Sequence, residues 1–576
     1  MDRRAALSGL FLLALAACGR EAEPESAAPF PAPLPEVPWI VSAAHPLAVD
    51  AGAEILAKGG SAVDAAIAVE AVLGLVEPQS SGLGGGAFML FYDASSGETI
   101  AYDGRETAPA STIPTVFYRE DGTPMGFYEA VTSGFATGVP GLVAMMDLAH
   151  RQHGKLEWAE LFAPAERLAR EGFPMPQRLH DTLGRFPQFR EDPETEIYLL
   201  EDGSVKPIGT TVTNPLYAET IREIAEGGAA AFYTGSIADA IIERVNGKTG
   251  VETLTKDDFL SYVPEIREPV CAVVYAHNTC SMPPPGSGGI TLIQIATIFE
   301  EVAGRAAPED ALLAYIEASR LAYADRGRFI GDPTAMGTDM LSADDLVLAL
   351  TSRTYLSERA RLVGDKPAEE VAPGNPDGYL LREGRIDDTA YEVPSTTHFS
   401  IRDSEGNIVS MTATVEFPFG SQMMVRGMVL NNQLTDFSRI PEVDGVPAVN
   451  APGPGKRPMS SMTPLIVFDA DGEPYAALGS PGGTAIIGYV AKPLLRHLAT
   501  GEPLSEAIKR PHVVVPRGSV IVEEGGDALA KAAEELGYSV TQRPLSSGIY
   551  GFALTNGGID LVVDPRREGS AKTSVD

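Results

Sequence analysis

The chain has 576 residues, too many for one small core, and its 44% hydrophobic and 21% charged content is that of a globular protein rather than a disordered or fibrous one. Lys and Arg number 44 against 78 Asp and Glu, a formal net charge of −34. That balance excludes the clustered basic surface that nucleic-acid binding requires, and speaks to solubility rather than to fold.

At the start, Arg3 and Arg4 precede an apolar run from Leu7 to Ala17 that is too short to span a bilayer, so it reads as an export signal. The run ends in Leu15-Ala16-Ala17-Cys18, which resembles the bacterial lipoprotein signal, where cleavage before the Cys leaves that residue lipid-modified. The expectation is a signal over 1–18 and a Pro-, Ala- and Glu-rich tether over 19–38. The protein then lies on the periplasmic side of a bacterial membrane and meets lipid only through the anchor at Cys18. An ordinary signal peptide with an unrelated Cys is the alternative.

Two helices are expected between His45 and Leu75: Ala48, Ala51, Ile55 and Leu56 share a face, Gly59-Gly60 ends the first, and Ser61 caps the second with Asp64 at its third position. The stretch from Ser80 to Gly86 lacks the Lys and the helix start of a phosphate-binding loop, and leads into a strand, AFMLFYD. From about 140 to 390 the periodicity is mostly helical, as in LVAMMDLAHRQHG, WAELFAPAERLARE and DALLAYIEASRLAYADRGRF. Within it, Cys271 and Cys280 flank a hairpin turn that sets them opposite one another, as a disulfide or as two buried thiols. The last third alternates strands with turns, so helices come first and strands follow, the pattern of a layered α+β fold. The eight His residues are scattered without ligand spacing. No metal or cofactor is expected, and the many carboxylates read as solvated faces.

Two segments carry chemistry. Asp403-Ser404-Glu405-Gly406-Asn407 is a turn between THFSIR and IVSMTAT, and a hairpin centred on Glu405 sets Thr414 across from Thr396. Gly479-Ser480-Pro481-Gly482-Gly483 joins the strand AALG to a helix beginning near Thr484. Backbone N–H groups at a helix start attract negative charge, and paired glycines let a substrate come close, as an oxyanion hole needs.

With EPQSSGLGGGAF, RETAP from Arg105, SMPPPGSGG, LAYADR, LNNQLTDFS, GKRPMSSMTP and DPRREGSA, these segments resemble the γ-glutamyltransferase (glutathione hydrolase) family from Trp39 to Ala571. The resemblance implies a four-layer αββα sandwich of the N-terminal-nucleophile hydrolase type. It also implies a precursor that cuts itself between Ser395 and Thr396 into segments 39–395 and 396–576, which remain together as a heterodimer sharing one fold. Thr396 is then the nucleophile, Thr414 its hydrogen-bonding partner, and Gly482 and Gly483 the oxyanion hole. Arg105, Ser460 and Ser461 match groups on the glutamyl α-carboxylate, and Gln433 and Asp436 match groups on its ammonium. Substrates would be glutathione and other γ-glutamyl compounds, with water or an amino acid or peptide amine as acceptor.

The sequence departs from the pattern where many members carry Asn two residues after the second Thr; here it is Glu416, a substrate-binding candidate whose carboxylate could still accept from the ammonium. The lid segment, Phe437 to Gly455, lacks the Tyr often found there. Two other readings are weighed: a glutaryl or cephalosporin acylase of the same superfamily, which has no need of Asp436, and a non-catalytic peptide-binding lipoprotein.

Overall fold

The computed structural model describes residues 37–337, 341–376, 386–390, 395–555 and 558–575. The signal, Cys18 and nearly all of the tether lie outside the described residues. Residues 36–576 form one compact unit.

Two antiparallel sheets make the frame. The first contains β1 (Ile40–Ala43), β2 (Gly86–Asp93), β3 (Glu98–Gly104), β4 (Glu265–Arg267), β7 (Thr397–Arg402), β8 (Ile408–Thr414) and β13 (Ser570–Thr573). Its order is β13-β1-β7-β8-β2-β3-β4. The second contains β5 (Val270–Val274), β6 (His277–Ser281), β9 (Leu465–Phe468), β10 (Pro474–Gly479), β11 (Tyr550–Thr555) and β12 (Gly558–Val563), in the order β12-β11-β10-β9-β6-β5. Both sheets interleave strands from before and after Thr396. Neither portion can complete a sheet alone.

Helices cover the outer faces. Against the first sheet lie α1 (Pro46–Ala57), α2 (Ala62–Val76) and α3 (Leu142–His153). The side chain of His45 accepts from Leu47 N to start α1, and Ser61 with Asp64 forms a capping box for α2, so both helices begin where local chemistry places them. Every residue of α2 is buried. Further along come α4 (Gln177–Arg185) and α5 (Pro215–Thr234). Against the second sheet lie α6 (Gly288–Ala303), α7 (Leu312–Phe329) and α8 (Ile486–Thr500). WAELFAPAERLARE breaks at Phe162 into Trp158–Leu161 and Ala163–Glu171, with Pro164 in the first turn of the second piece, where a missing N–H costs nothing.

The central strands of the first sheet, β1, β7, β8 and β2, are buried on both sides. On β2, Ala87, Met89 and Phe91 join the helix-side core, while Phe88, Leu90 and Tyr92 join the core shared with the second sheet. β7 and β8 follow the same alternation, Phe399, Ile401, Met411 and Ala413 facing the helices. The other face carries polar side chains into the space between the sheets: Ser400 Oγ donates to Tyr550 O and Ser410 Oγ to Leu478 O, each at 3.4 Å.

The mostly helical middle segment contains the expected hairpin at Cys271 and Cys280 as β5 and β6, and adds β4; together they supply an edge to each sheet. One expectation needs correcting: the carboxylates are not all on solvated faces, since Glu70, Glu77, Asp103 and Glu106 are fully buried. Cys271 and Cys280 are directly opposed on β5 and β6 and their sulfurs are bonded.

Candidate active site

The register of β7 and β8 pairs Ala413 with Thr397, which brings Thr414 opposite Thr396 just beyond the ladder. Both side chains follow the period-two alternation into the inter-sheet space, and both are 3% exposed. Their hydroxyl oxygens are 3.3 Å apart. Thr396 Oγ1 donates to the carbonyl oxygen of Ser395 in a short contact, and Thr414 Oγ1 donates to the same oxygen at 3.1 Å. Two hydroxyls therefore converge on the one peptide carbonyl that precedes Thr396. Glu416 N–H donates to Thr414 Oγ1 at 2.9 Å, fixing which way that hydroxyl points.

The carbonyl on the other side of Thr396 is held as well. Arg567 Nη1 donates to Thr396 O at 3.0 Å, while its Nε and Nη2 donate to Ser546 O at 3.2 and 2.9 Å. Burial pushes the Arg567 guanidinium down to about 10, which leaves it charged at neutral pH. Sequence reasoning gave Arg567 no role, although it lies within the DPRREGSA segment.

Two residues along β7, His398 places Nδ1 2.8 Å from Thr412 Oγ1 and Nε2 3.1 Å from Ser400 Oγ. Burial drives its imidazole down to about 3, so it is neutral and orders the two hydroxyls. A Cβ on Gly479 would sit 2.4 Å from the His398 ring, which is how closely the strand before the glycine turn packs on β7. Gly482 has φ +143 and Gly483 φ +58. A Cβ on Gly482 would lie 2.5 Å from the Tyr489 ring, so shape and backbone both demand glycine there. Gly483–Ala485 is a 3₁₀ turn, and α8 begins at Ile486, slightly later than the sequence suggests.

The expected glutamyl-binding residues fall into one buried cluster. Arg105 Nη2 donates to Asp436 Oδ2 at 2.6 Å, and Gln433 Nε2 donates to the same oxygen at 2.7 Å. Arg105 also donates to Pro458 O and Met459 O, while its Nη1 has no hydrogen-bond partner and lies 3.8 Å from Glu106. Burial pushes the Glu106 carboxyl up to about 8, so it is mostly neutral at pH 7 and leaves Arg105 charge available. Ser460 Oγ accepts from Met462 N, and Ser461 Oγ accepts from Arg326 Nη2 at 2.8 Å. Arg326 Nε also reaches Ser287 Oγ at 2.8 Å, an anchor not anticipated from sequence.

Glu416 adopts φ +78, a left-handed conformation that Asn tolerates better than Glu, and accepts a short bond from Asn432 Nδ2. The segment from Phe437 to Gly455 forms a small hairpin, Glu442–Val443 against Val446–Pro447, closed at its base by Ser438 N–H to Asn450 O at 2.8 Å. Its turn uses Asp444 and Gly445, both with positive φ.

The gamma-glutamyltranspeptidase family profile matches residues 48–574. This chain belongs to that family. It is 34% identical to the glutathione hydrolase proenzyme of Bacillus subtilis strain 168, over 92% of this chain and 91% of that one. With the glutathione hydrolase proenzyme of Escherichia coli K12 the identity is 34%, over 82% and 80%. Among solved structures, a cephalosporin acylase from Bacillus halodurans shares the fold, with TM-score 0.79, 24% identity, and coverage of 95% and 98%. The Helicobacter pylori gamma-glutamyltranspeptidase matches with TM-score 0.54 and 29% identity, over 59% of this chain and 96% of that one. The fold of this family member is thus an α+β sandwich of N-terminal-nucleophile hydrolase type.

Proposed function

We propose that this chain is the precursor of a γ-glutamyl hydrolase/transferase that opens its own backbone between Ser395 and Thr396. The observation that carries the reading is the convergence of the Thr396 and Thr414 hydroxyls on the Ser395 carbonyl oxygen, in a buried site. As Thr396 Oγ1 gives up its proton and turns to the carbon, the Thr414 hydrogen bond to that oxygen stabilises the charge that attack develops. Thr396 Oγ1 forms the new C–O bond, the Ser395–Thr396 C–N bond breaks, and the nitrogen takes up a proton; water then opens the ester.

The product is a Thr396 with a free α-amine, whose reference pKa of about 8 suits it to serve as general base for its own hydroxyl. The β-methyl limits χ1 and holds the oxygen in place. The hydroxyl attacks the γ-amide of a γ-glutamyl compound such as glutathione, with the Gly482-Gly483 amides receiving the oxyanion. Arg105, Ser460 and Ser461 take the α-carboxylate, and Asp436 with Gln433 takes the ammonium. Water or an amino acid or peptide amine resolves the acyl-enzyme.

The relatives support both halves of this reading, since they are glutathione hydrolase proenzymes. Segments 39–395 and 396–576 would stay associated because their strands alternate within both sheets. Export, with a lipid anchor on Cys18, completes the proposal; among the described residues no helix is long and apolar enough to cross a membrane.

A denaturing gel of the purified protein beside Thr396→Ala tests the reading. The expected result is two fragments for the wild type, the smaller beginning with Thr396, and one uncut chain for the variant. Turnover of a γ-glutamyl anilide should follow cleavage; an uncut wild type with full activity refutes the self-processing mechanism.

A further inference from the structure

Behind the glycine turn, His512, Ser547 and Asp564 stand in one hydrogen-bonded row. Ser547 Oγ donates to Asp564 Oδ2 at 2.6 Å and lies 3.0 Å from His512 Nε2. These are the residue types of an acyl-transfer triad, but the serine is in the middle rather than at the end. Its hydrogen is committed to Asp564, so His512 Nε2 presents it with a hydrogen and not with the lone pair of a base. All three residues are buried, which closes them to substrate. Burial drives the His512 imidazole well below its usual range, with Arg566 and Lys492 adding to the effect. The ring is therefore neutral, and the row runs in one direction, from His512 through Ser547 to Asp564.

The row pins the segment Ser546-Ser547-Gly548, just ahead of β11. The two neighbours of Ser547 reach the candidate site by different routes. Ser546 O receives Arg567 Nε and Nη2 at 3.2 and 2.9 Å, and the same guanidinium holds Thr396 O at 3.0 Å. Gly548 N–H donates to Ser480 Oγ at 3.2 Å, and Ser480 Oγ donates to Pro481 O at 2.8 Å, at the head of the Gly482-Gly483 turn. A Cβ on Gly548 would lie 2.8 Å from Arg567 Cδ and 3.0 Å from Pro481 Cγ, so the segment is packed directly between Arg567 and the turn.

Both ends of the row are themselves fixed. Asp564 Oδ2 also accepts from Ile549 N–H at 3.2 Å, and Oδ1 accepts from Arg566 N–H and Nη1 at 3.0 and 3.1 Å. His512 N–H donates to Glu523 Oε2 at 2.8 Å. The His512 ring lies 4.8 Å from that of Tyr489, the ring that a Cβ on Gly482 would strike. A buried hydrogen-bonded row anchored on a carboxylate is stiff, and a misplacement of about 1 Å in a reacting arrangement can cost roughly 100-fold in rate.

Resting on the proposed function, we infer that Ser547 is a positioning residue for the oxyanion turn. Held by Asp564 and His512, it fixes Gly548 against Ser480 and Ser546 against Arg567. The Gly482 and Gly483 amides are thereby set at their working distance from Thr396 Oγ1. Arg105 and Asp436, which read the glutamyl end, are held instead by Gln433 and by the Pro458 and Met459 carbonyls. Binding and turnover can therefore be disturbed separately.

The test sets Ser547→Ala beside the wild type, both processed, in turnover of a γ-glutamyl anilide with two inhibitors as probes. L-Norvaline keeps the α-carboxylate and ammonium of glutamate but has a methyl in place of the γ-carboxyl, so it forms no oxyanion. The analogue with a boronic acid in that place bonds Thr396 Oγ1 through boron and sets an oxygen of its tetrahedral adduct in the oxyanion hole. In the variant kcat should fall about 10-fold, less than the roughly 10²–10³-fold cost of deleting an oxyanion donor outright. KM and norvaline inhibition should hold within about twofold, while boronate inhibition weakens by the same factor as kcat. Ser480→Ala cuts the link at its other end and should reproduce the pattern, which keeps the test open should Ser547→Ala fail to fold or mature. An unchanged kcat, or norvaline and boronate weakened alike, overturns the inference. A wild type that is processed yet inert towards the anilide overturns the γ-glutamyl reading beneath it instead.

Discussion

Replacing Asp436 with Asn separates a glutamyl pocket from a glutaryl one. Oδ2 of Asp436 receives Arg105 Nη2 at 2.6 Å and Gln433 Nε2 at 2.7 Å, in a pair whose side chains are 0% and 4% exposed. Asn keeps the shape but removes the charge. A hydrogen bond to a charged group contributes about 1.5–3 kcal/mol, so losing the substrate ammonium's counter-ion lowers kcat/KM about 10- to 150-fold, at ~1.4 kcal/mol per tenfold. Arg105 also loses its charged partner, and a buried guanidinium left with only the Pro458 and Met459 carbonyls is held less firmly against the α-carboxylate. That second loss falls on any donor that uses Arg105, whereas the first falls only on donors with an ammonium. With γ-glutamyl and glutaryl anilides as the pair, the glutamyl compound should lose roughly 10²–10³-fold and the glutaryl compound about tenfold. Self-cleavage, read on a gel, should persist, because Asp436 makes no bond to Ser395, Thr396 or Thr414 among those described. Equal losses on both donors, or a wild type faster on glutaryl, would show that Asp436 does not read the ammonium and would favour the acylase alternative.

Thr414→Val keeps the volume and deletes the hydroxyl that donates to Ser395 O at 3.1 Å. One hydrogen bond of about 1–2 kcal/mol should slow precursor conversion ~10-fold, followed by densitometry; an unchanged rate removes Thr414 from the cleavage step. Burial raises the Glu70 carboxyl from 4.5 to about 8, with Glu77 adding to the effect and the Ser81 hydroxyl opposing it. Because the folded state holds that proton more tightly, the stability it contributes is complete below pH 4.5 and is lost as pH rises through about 8. Glu70→Gln should therefore stabilise the protein relative to wild type increasingly from pH 5 to pH 9, by several kcal/mol at the upper end. Melting curves that differ by the same amount at both ends would contradict the assignment.

The sequence by itself determined the local elements. Ser61 and Asp64 specify the start of α2 through a capping box, and the Asp403–Asn407 turn sets the β7–β8 register that brings Thr414 to Thr396. Motif order carried the family, and with it Arg105, Gln433 and Asp436. These are short-range signals, legible because capping, turn chemistry and side-chain period are encoded within a few residues.

Tertiary structure decided which faces meet. The alternation in Thr396-Thr397-His398-Phe399-Ser400 marks a strand, and an alternating strand ordinarily gives its polar side to water. Here a second sheet covers that side, so His398, Ser400 and Thr412 pair with one another and Thr396 is enclosed. Residues 171 positions apart bring Arg567 onto the Thr396 carbonyl, and 331 positions separate Arg105 from Asp436. No local pattern holds such distances. They follow from the interleaving of strands before and after Thr396, which buries Glu70 and Glu106 as well and turns ordinary acidic residues into groups that keep their protons near neutral pH.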